Sequence, residues 1–180
     1  MDERQCIPGA MPAGPKLRCA PPTAPFRVVL VEPEIPPNTG SIARTCAATS
    51  SPLHLIEPLG FRIDEASLKR AGLDYWHLVD LHVHASFDAF VAAHPTTRVH
   101  LFSAGAERSF FDATCAPGDA LVFGKESVGL PASLLAAHGD RTWAIPTSGL
   151  VRSLNLSNAV AIALYEALRR NGALAPTFRA

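Results

Sequence analysis

The stretch Leu121–Pro131, LVFGKESVGLP, decides how the chain is read. Its apolar start, with Ala120, predicts a buried strand over 120–123. Gly124 breaks that strand into a polar loop, and Pro131 stands where proline is favoured, at the start of a helix. A second stretch repeats the plan: Ile145–Asn158, IPTSGLVRSLNLSN, follows a strand expected over 142–145. Its small polar residues lead into a long helix running to about Arg170, with Ser157 or Asn158 placed to cap it. Two strand ends of this kind, side by side, make one crevice.

Upstream, apolar runs alternate with helical patterns. FRVVLV (26–31) reads as the first strand. It is followed by the proline-stiffened turn EPEIPPNTG and a helix from Ser41 to about Ala48, for which Asn38 and Thr39 are candidate caps. LHLIE (53–57) is a second strand, and DEASLKRA (64–71) a helix whose acids precede its bases, as the helix dipole favours. WHLVDLHVH, within 76–84, alternates as a half-buried strand. SFDAFVAA (86–93) is a capped amphipathic helix, and 99–103 a further strand. Strand and helix in such strict alternation predict an α/β domain, a mostly parallel sheet with helices on both faces.

Composition narrows the function classes. The 180 residues, 48% of them hydrophobic, suit one core rather than two, expected over 26–172. Six of the sixteen prolines lie in residues 1–25, which have no apolar periodicity; that segment is expected to be a disordered extension, and 173–180 a flexible tail. Net charge is zero, so RNA binding would need a local basic patch, for which Lys69 and Arg70 are candidates beside their plainer reading as a solvated helix end. No run is long enough for a membrane span and no secretory leader is evident, so a cytoplasmic protein is expected. Cys6, Cys19, Cys46 and Cys115 form no CxxC pair and read as reduced thiols. His82 and His84 share a strand face, but no further ligand stands at metal spacing, so they read as ordinary strand residues and no metal is expected.

Three motifs in order, PEIPPNTGSIAR (33–44), FGKESVGLP (123–131) and SLNLSNAVAIALYEA (153–167), resemble the SPOUT class of RNA 2'-O-ribose methyltransferases in its small single-domain branch. EPLGF (57–61) and RAGLDYW (70–76) extend the likeness, which runs from about Val28 to Arg170. The resemblance implies a C-terminal trefoil knot, loops near Gly124 and Ser153 that hold S-adenosylmethionine, and a homodimer packed through the last helix. It also implies a substrate: the ribose of the wobble nucleotide, cytidine 34 or a modified uridine 34, of leucine tRNAs.

By motif position, the cofactor contacts implied are Phe102, Ser103, Gly124, Glu126, Ile145, Ser153, Leu154 and Asn155. Glu126 is also read as shaping its loop by bonding backbone amides. Arg44 matches the arginine placed beside the target hydroxyl or phosphate. Arginine side chains stay charged in proteins, so charge stabilisation is favoured over proton abstraction. Asn38 is placed to orient the ribose, Arg152 to hold a phosphate, and Tyr165 is a further catalytic candidate, against its plainer reading as a core or interface aromatic. Three alternatives stay open: another tRNA or rRNA site, a non-catalytic RNA-binding relative, and a nucleotide-dependent dehydrogenase. The last lacks GxGxxG after its first strand.

Overall fold

The computed structural model describes residues 16–62 and 76–179. Six parallel strands form the central sheet: β2 (Arg27–Val31), β3 (Leu53–Ile56), β4 (Leu81–His84), β5 (Val99–Phe102), β6 (Ala120–Phe123) and β7 (Thr142–Trp143). Their spatial order is β4-β3-β2-β6-β5-β7. The four central strands are apolar runs, apart from Arg27 at the start of β2, His54 of β3 and His100 of β5, because both of their faces are covered.

Successive side chains divide between two cores. Val28, Leu30, Leu53, Leu55, Leu121 and Phe123 pack on one side with α1 (Pro36–Thr49) and α4 (Leu156–Arg170). Val29, Val31, Ile56, Val99, Leu101 and Val122 pack on the other, with Phe90 of α2 (Phe87–Ala93) and with residues of α3 (Ala132–Ala137). Ser86 caps α2 as expected, its Oγ accepting from the amide of Ala89 at 3.1 Å. Trp143 and Phe102 end neighbouring strands at the same level.

Several boundaries differ from the reading of the sequence. Helix α1 starts at Pro36, five residues early, since proline at the first helical positions forfeits no hydrogen bond. Ile35 occupies the cap position, and neither Asn38 nor Thr39 caps the helix. The cap of α4 is Asn155, not Ser157 or Asn158: its Oδ1 accepts from the amides of both, at 2.9 and 3.4 Å. The segment read as one strand over 76–84 is a 3-10 turn, Trp76–Leu78, and then the short edge strand β4. Strand β7 has two residues where four were expected.

The two segments expected to lack structure contribute a ladder of their own. In it β1 (Lys16–Cys19) pairs antiparallel with β8 (Pro176–Arg179). The helix expected over 64–71, with Lys69 and Arg70, lies outside the described residues. Among the described residues no helix is long and apolar enough to cross a membrane, and Cys19, Cys46 and Cys115 are free thiols.

Candidate active site

Strand order changes direction between β2 and β6. The chain builds outward from β2 to β4, then crosses to the far side of the sheet and returns through β6, and the loops that follow β5, β6 and β7 gather at the carboxyl edge of the sheet. This is where parallel sheets hold ligands. A cavity of about 720 Å³ opens there, within the range of small-molecule sites. Its wall comes from three strand-end loops, after β5, β6 and β7, and from the start of α1.

All eight residues singled out as cofactor contacts line this one cavity: Phe102, Ser103, Gly124, Glu126, Ile145, Ser153, Leu154 and Asn155. Asn38 and Arg152 line it too. Arg44 and Tyr165 do not. Arg44 is exposed on α1, nearly two turns beyond Asn38, and Tyr165 is 45% exposed on α4. Phe102 belongs mostly to the core beneath, stacked on Phe123 with ring centroids 4.4 Å apart.

Glu126 ties the site together. Its Oε2 accepts from the amide of Glu34 at 2.9 Å, and its Oε1 from the amide of Ile35 at 3.3 Å and from Nδ2 of Asn38 at 2.9 Å. The amides it satisfies therefore belong to the turn after β2, not to its own loop. Both amides lie just before α1, whose first two residues are prolines with no N–H, and a carboxylate beside a helix start is favoured by the helix dipole as well as by hydrogen bonding.

Glu34 answers from the other side. Its Oε2 accepts from the amide of Ser127 at 3.0 Å, and hydrogen bonding from Ser127 holds its carboxyl below the usual range. Lys125 donates to Glu32 at 2.6 Å, which raises the lysine above its ordinary value. Asn38, read as a cap, is instead a relay: its Oδ1 accepts from Nδ2 of Asn155 at 3.0 Å, joining the cap of α4 to Glu126. Arg152 closes the rim through the carbonyl of Ser127 at 3.1 Å.

Gly124 is required for a reason closer than any ligand. A Cβ there would stand 2.1 Å from the carbonyl carbon of Gly129 and 2.3 Å from the amide nitrogen of Leu130. The loop folds back on itself at that point, with the amide of Gly129 donating to the carbonyl of Lys125 at 2.9 Å and Gly129 at φ +78°. Only glycine lets the two backbones approach so closely.

A second polar chain supports the cavity wall from behind. Trp143, which lines the cavity, donates its indole N–H to Nδ1 of His100 at 3.1 Å. Nε2 of His100 faces Oδ2 of Asp119 at 3.0 Å, and Arg98 holds both oxygens of Asp119 at 3.1 and 2.9 Å. Burial pushes the His100 ring below its usual pKa, against the pull of Asp119. The neutral ring then accepts from Trp143 and donates to Asp119, so both its nitrogens are satisfied. Nothing in the sequence pattern singled out this chain, whose members are unlike residues on two strands, β5 and β7, and in the loops that lead into β5 and β6.

The histidines of β4 also read differently in the fold. His84 does have companions, His54 of β3 and His94 at the end of α2, which sequence spacing did not show.

The parallel sheet, with a cavity at its carboxyl edge, defines an α/β protein with a ligand site in the usual place. Residues 25–165 match the SpoU rRNA methylase family, and the chain belongs to that family of methyltransferases. The tRNA (cytidine(34)-2'-O)-methyltransferase of Burkholderia ambifaria is 47% identical over 150 residues, 82% of this chain and 96% of that one. The protein of the same name in Saccharophagus degradans is 45% identical over 148 residues, again 82% and 96%. Among solved structures, one described by the 2-OH methylation of C/U34 on tRNA superposes with a TM-score of 0.77 at 52% identity, covering 82% of this chain and 96% of its own. AviRb of Streptomyces viridochromogenes, solved with AdoMet, superposes at 0.68 with 26% identity, covering 83% of this chain and 59% of its own.

Proposed function

We propose that this protein transfers a methyl group from S-adenosylmethionine to the 2'-hydroxyl of nucleotide 34, cytidine or a modified uridine, in leucine tRNAs. The observation that carries the reading is that residues of three strand-end loops, Phe102 and Ser103, Gly124 and Glu126, and Ile145 with 153–155, line one cavity, in a chain that matches cytidine-34 methyltransferases over nearly their whole length. When bound, S-adenosylmethionine supplies an electrophilic methyl group on a sulfonium. The cavity suits such a molecule in volume and in lining. Ile145, Leu154 and Leu156 offer apolar surface, Ser103, Ser153 and Asn155 offer polar partners, and Gly124 keeps a backbone edge bare.

In this reading Asn38 and Arg152, at the rim, orient the ribose and hold a phosphate, and Glu126 fixes Asn38 rather than taking a proton. Proximity supplies much of the rate once donor and hydroxyl are aligned. Arg44 stabilises charge at the hydroxyl or its phosphate. Its place outside the cavity of a single chain requires that bound RNA or a second chain complete the site. A homodimer through α4 is part of the proposal, supported by the outward Ile162 and Tyr165, 38% and 45% exposed beside a buried opposite face. The trefoil knot implied by the resemblance is likewise proposed, for the segment that leads from the edge strand β7 back to α4 against α1.

The test is methylation of unmodified leucine tRNA with labelled S-adenosylmethionine, with 2'-O-methyl groups mapped to the nucleotide. Label at position 34 is expected. Arg44→Ala should cut the rate by roughly a hundredfold or more with cofactor affinity nearly unchanged. Label at another nucleotide would move the substrate, and equal loss of both properties would make Arg44 structural.

A further inference from the structure

Away from the cavity, β3, β4 and the end of α2 bring together His54, His84 and His94. Each offers one ring nitrogen, and the three nitrogens lie within 4.8 Å of one another. The parallel register sets this up: His54 is opposite His82 and Ile56 opposite His84, so His54 and His84 occupy one face of adjoining strands. His94 is the residue that ends α2. Phe90, one turn earlier in that helix, packs edge-on against His54 and His84 with centroids at 5.1 and 5.4 Å, which fixes the rings.

The plainer reading is an aromatic cluster holding one hydrogen bond, between Nδ1 of His54 and Nε2 of His84 at 3.0 Å. It leaves one fact unexplained: the third ring brings a nitrogen to a place where the hydrogen bond has no use for it. A 3.0 Å separation is close to the roughly 3.3 Å between two nitrogens on a tetrahedral ion with bonds of about 2.0–2.1 Å. Arg27 adds a positive field at His54 and His94, which an ion bound there would have to overcome. His82 stacks on His54 at 4.8 Å, but its Nε2 is engaged by Asp80 at 2.9 Å.

We propose that His54, His84 and His94 form a binding site for a transition-metal ion of the zinc class, which clips the edge strand β4 and the end of α2 onto β3. A donor set of three imidazoles without a carboxylate selects zinc, cobalt, nickel or copper over magnesium or calcium. His84 and His94 are only partly buried, so a fourth position is left to water. The site is separate from the cavity and its role is to hold the sheet edge.

Untagged protein, stripped with chelator, is titrated with zinc chloride by calorimetry and with cobalt chloride by visible absorption. One ion per chain is expected, with a cobalt spectrum that lacks a thiolate charge-transfer band, and a melting temperature raised by zinc. His84→Ala and His94→Ala should each weaken binding by about tenfold or more and abolish the zinc-dependent rise, while His82→Ala changes neither. Melting of the metal-free variants checks that they fold. The proposal is overturned if the wild type takes up neither ion, if both variants bind as the wild type does, or if a thiolate band assigns the ion to cysteine.

Discussion

Two polar chains meet the same cavity and differ in kind. At the rim, Glu126, Asn38 and Asn155 link positions about ninety or more residues apart in sequence, with Asn38 buried, Glu126 half-buried and Asn155 exposed. Behind the wall, Arg98, Asp119, His100 and Trp143 are linked across far shorter separations, and the last three are at most 5% exposed. The rim chain shapes loops that must admit a ligand. Water can reach its Glu126 and Asn155 ends, so its removal should cost activity more than stability. The inner chain has no such substitute, because a buried partner left alone bears its full desolvation penalty.

The sharpest break of that contrast is Gly124→Val. The side chain meets the Gly129 backbone, so the loop opens and cofactor binding should be lost altogether, as calorimetry would show; unchanged affinity would move the pocket elsewhere. Asn38→Ala comes next. It cuts the relay between Glu126 and Asn155, and methyl transfer should fall by about a hundredfold while the melting temperature moves little. A large thermal shift without loss of rate would reverse the roles of the two chains.

For the inner chain, Asp119→Ala strands the Nε2–H of His100 and the amide of Ala116. Stability in urea should drop by about 3 kcal/mol, with the folded fraction still binding cofactor. The smallest effect is one of pH. The folded His100 ring is held below its ordinary pKa, so on acidification the unfolded chain takes its proton first. Stability from this group is whole above the ordinary imidazole value and declines as pH falls through it towards the folded one, by at most about 1.4 kcal/mol per pH unit. His54 titrates in the same direction, so the measurement compares wild type with His100→Gln, whose slope below that value should be shallower.

Much of this architecture was legible in the residues. The apolar runs at 27–31, 99–102 and 120–123 announced strands because a parallel sheet leaves no wet face to demand alternation. Gly124 and Pro131 marked the turn between strand and helix. What local pattern could not show was partnership across the chain. Asn38 has the chemistry of a helix cap and sits near a helix start, but the prolines before it carry the helix back to Pro36, freeing its side chain for Glu126. Gly124 reads in the sequence as a strand break and an implied cofactor contact, while the closer constraint on it is its own loop. His54, His84 and His94 looked unrelated because their meeting depends on strand register, which no spacing rule encodes.

Strand β6 lies between β2 and β5, although it is the last of the three to be synthesised. As the chain leaves the ribosome, β2 gains β3 on one side early, while its other edge keeps its amides and carbonyls unpaired until residues 120–123 emerge. The turn after β2 waits longer still, because the carboxylate that organises it is that of Glu126. The nascent protein thus carries an open sheet edge through about half of its translation, the kind of edge that invites pairing with another chain.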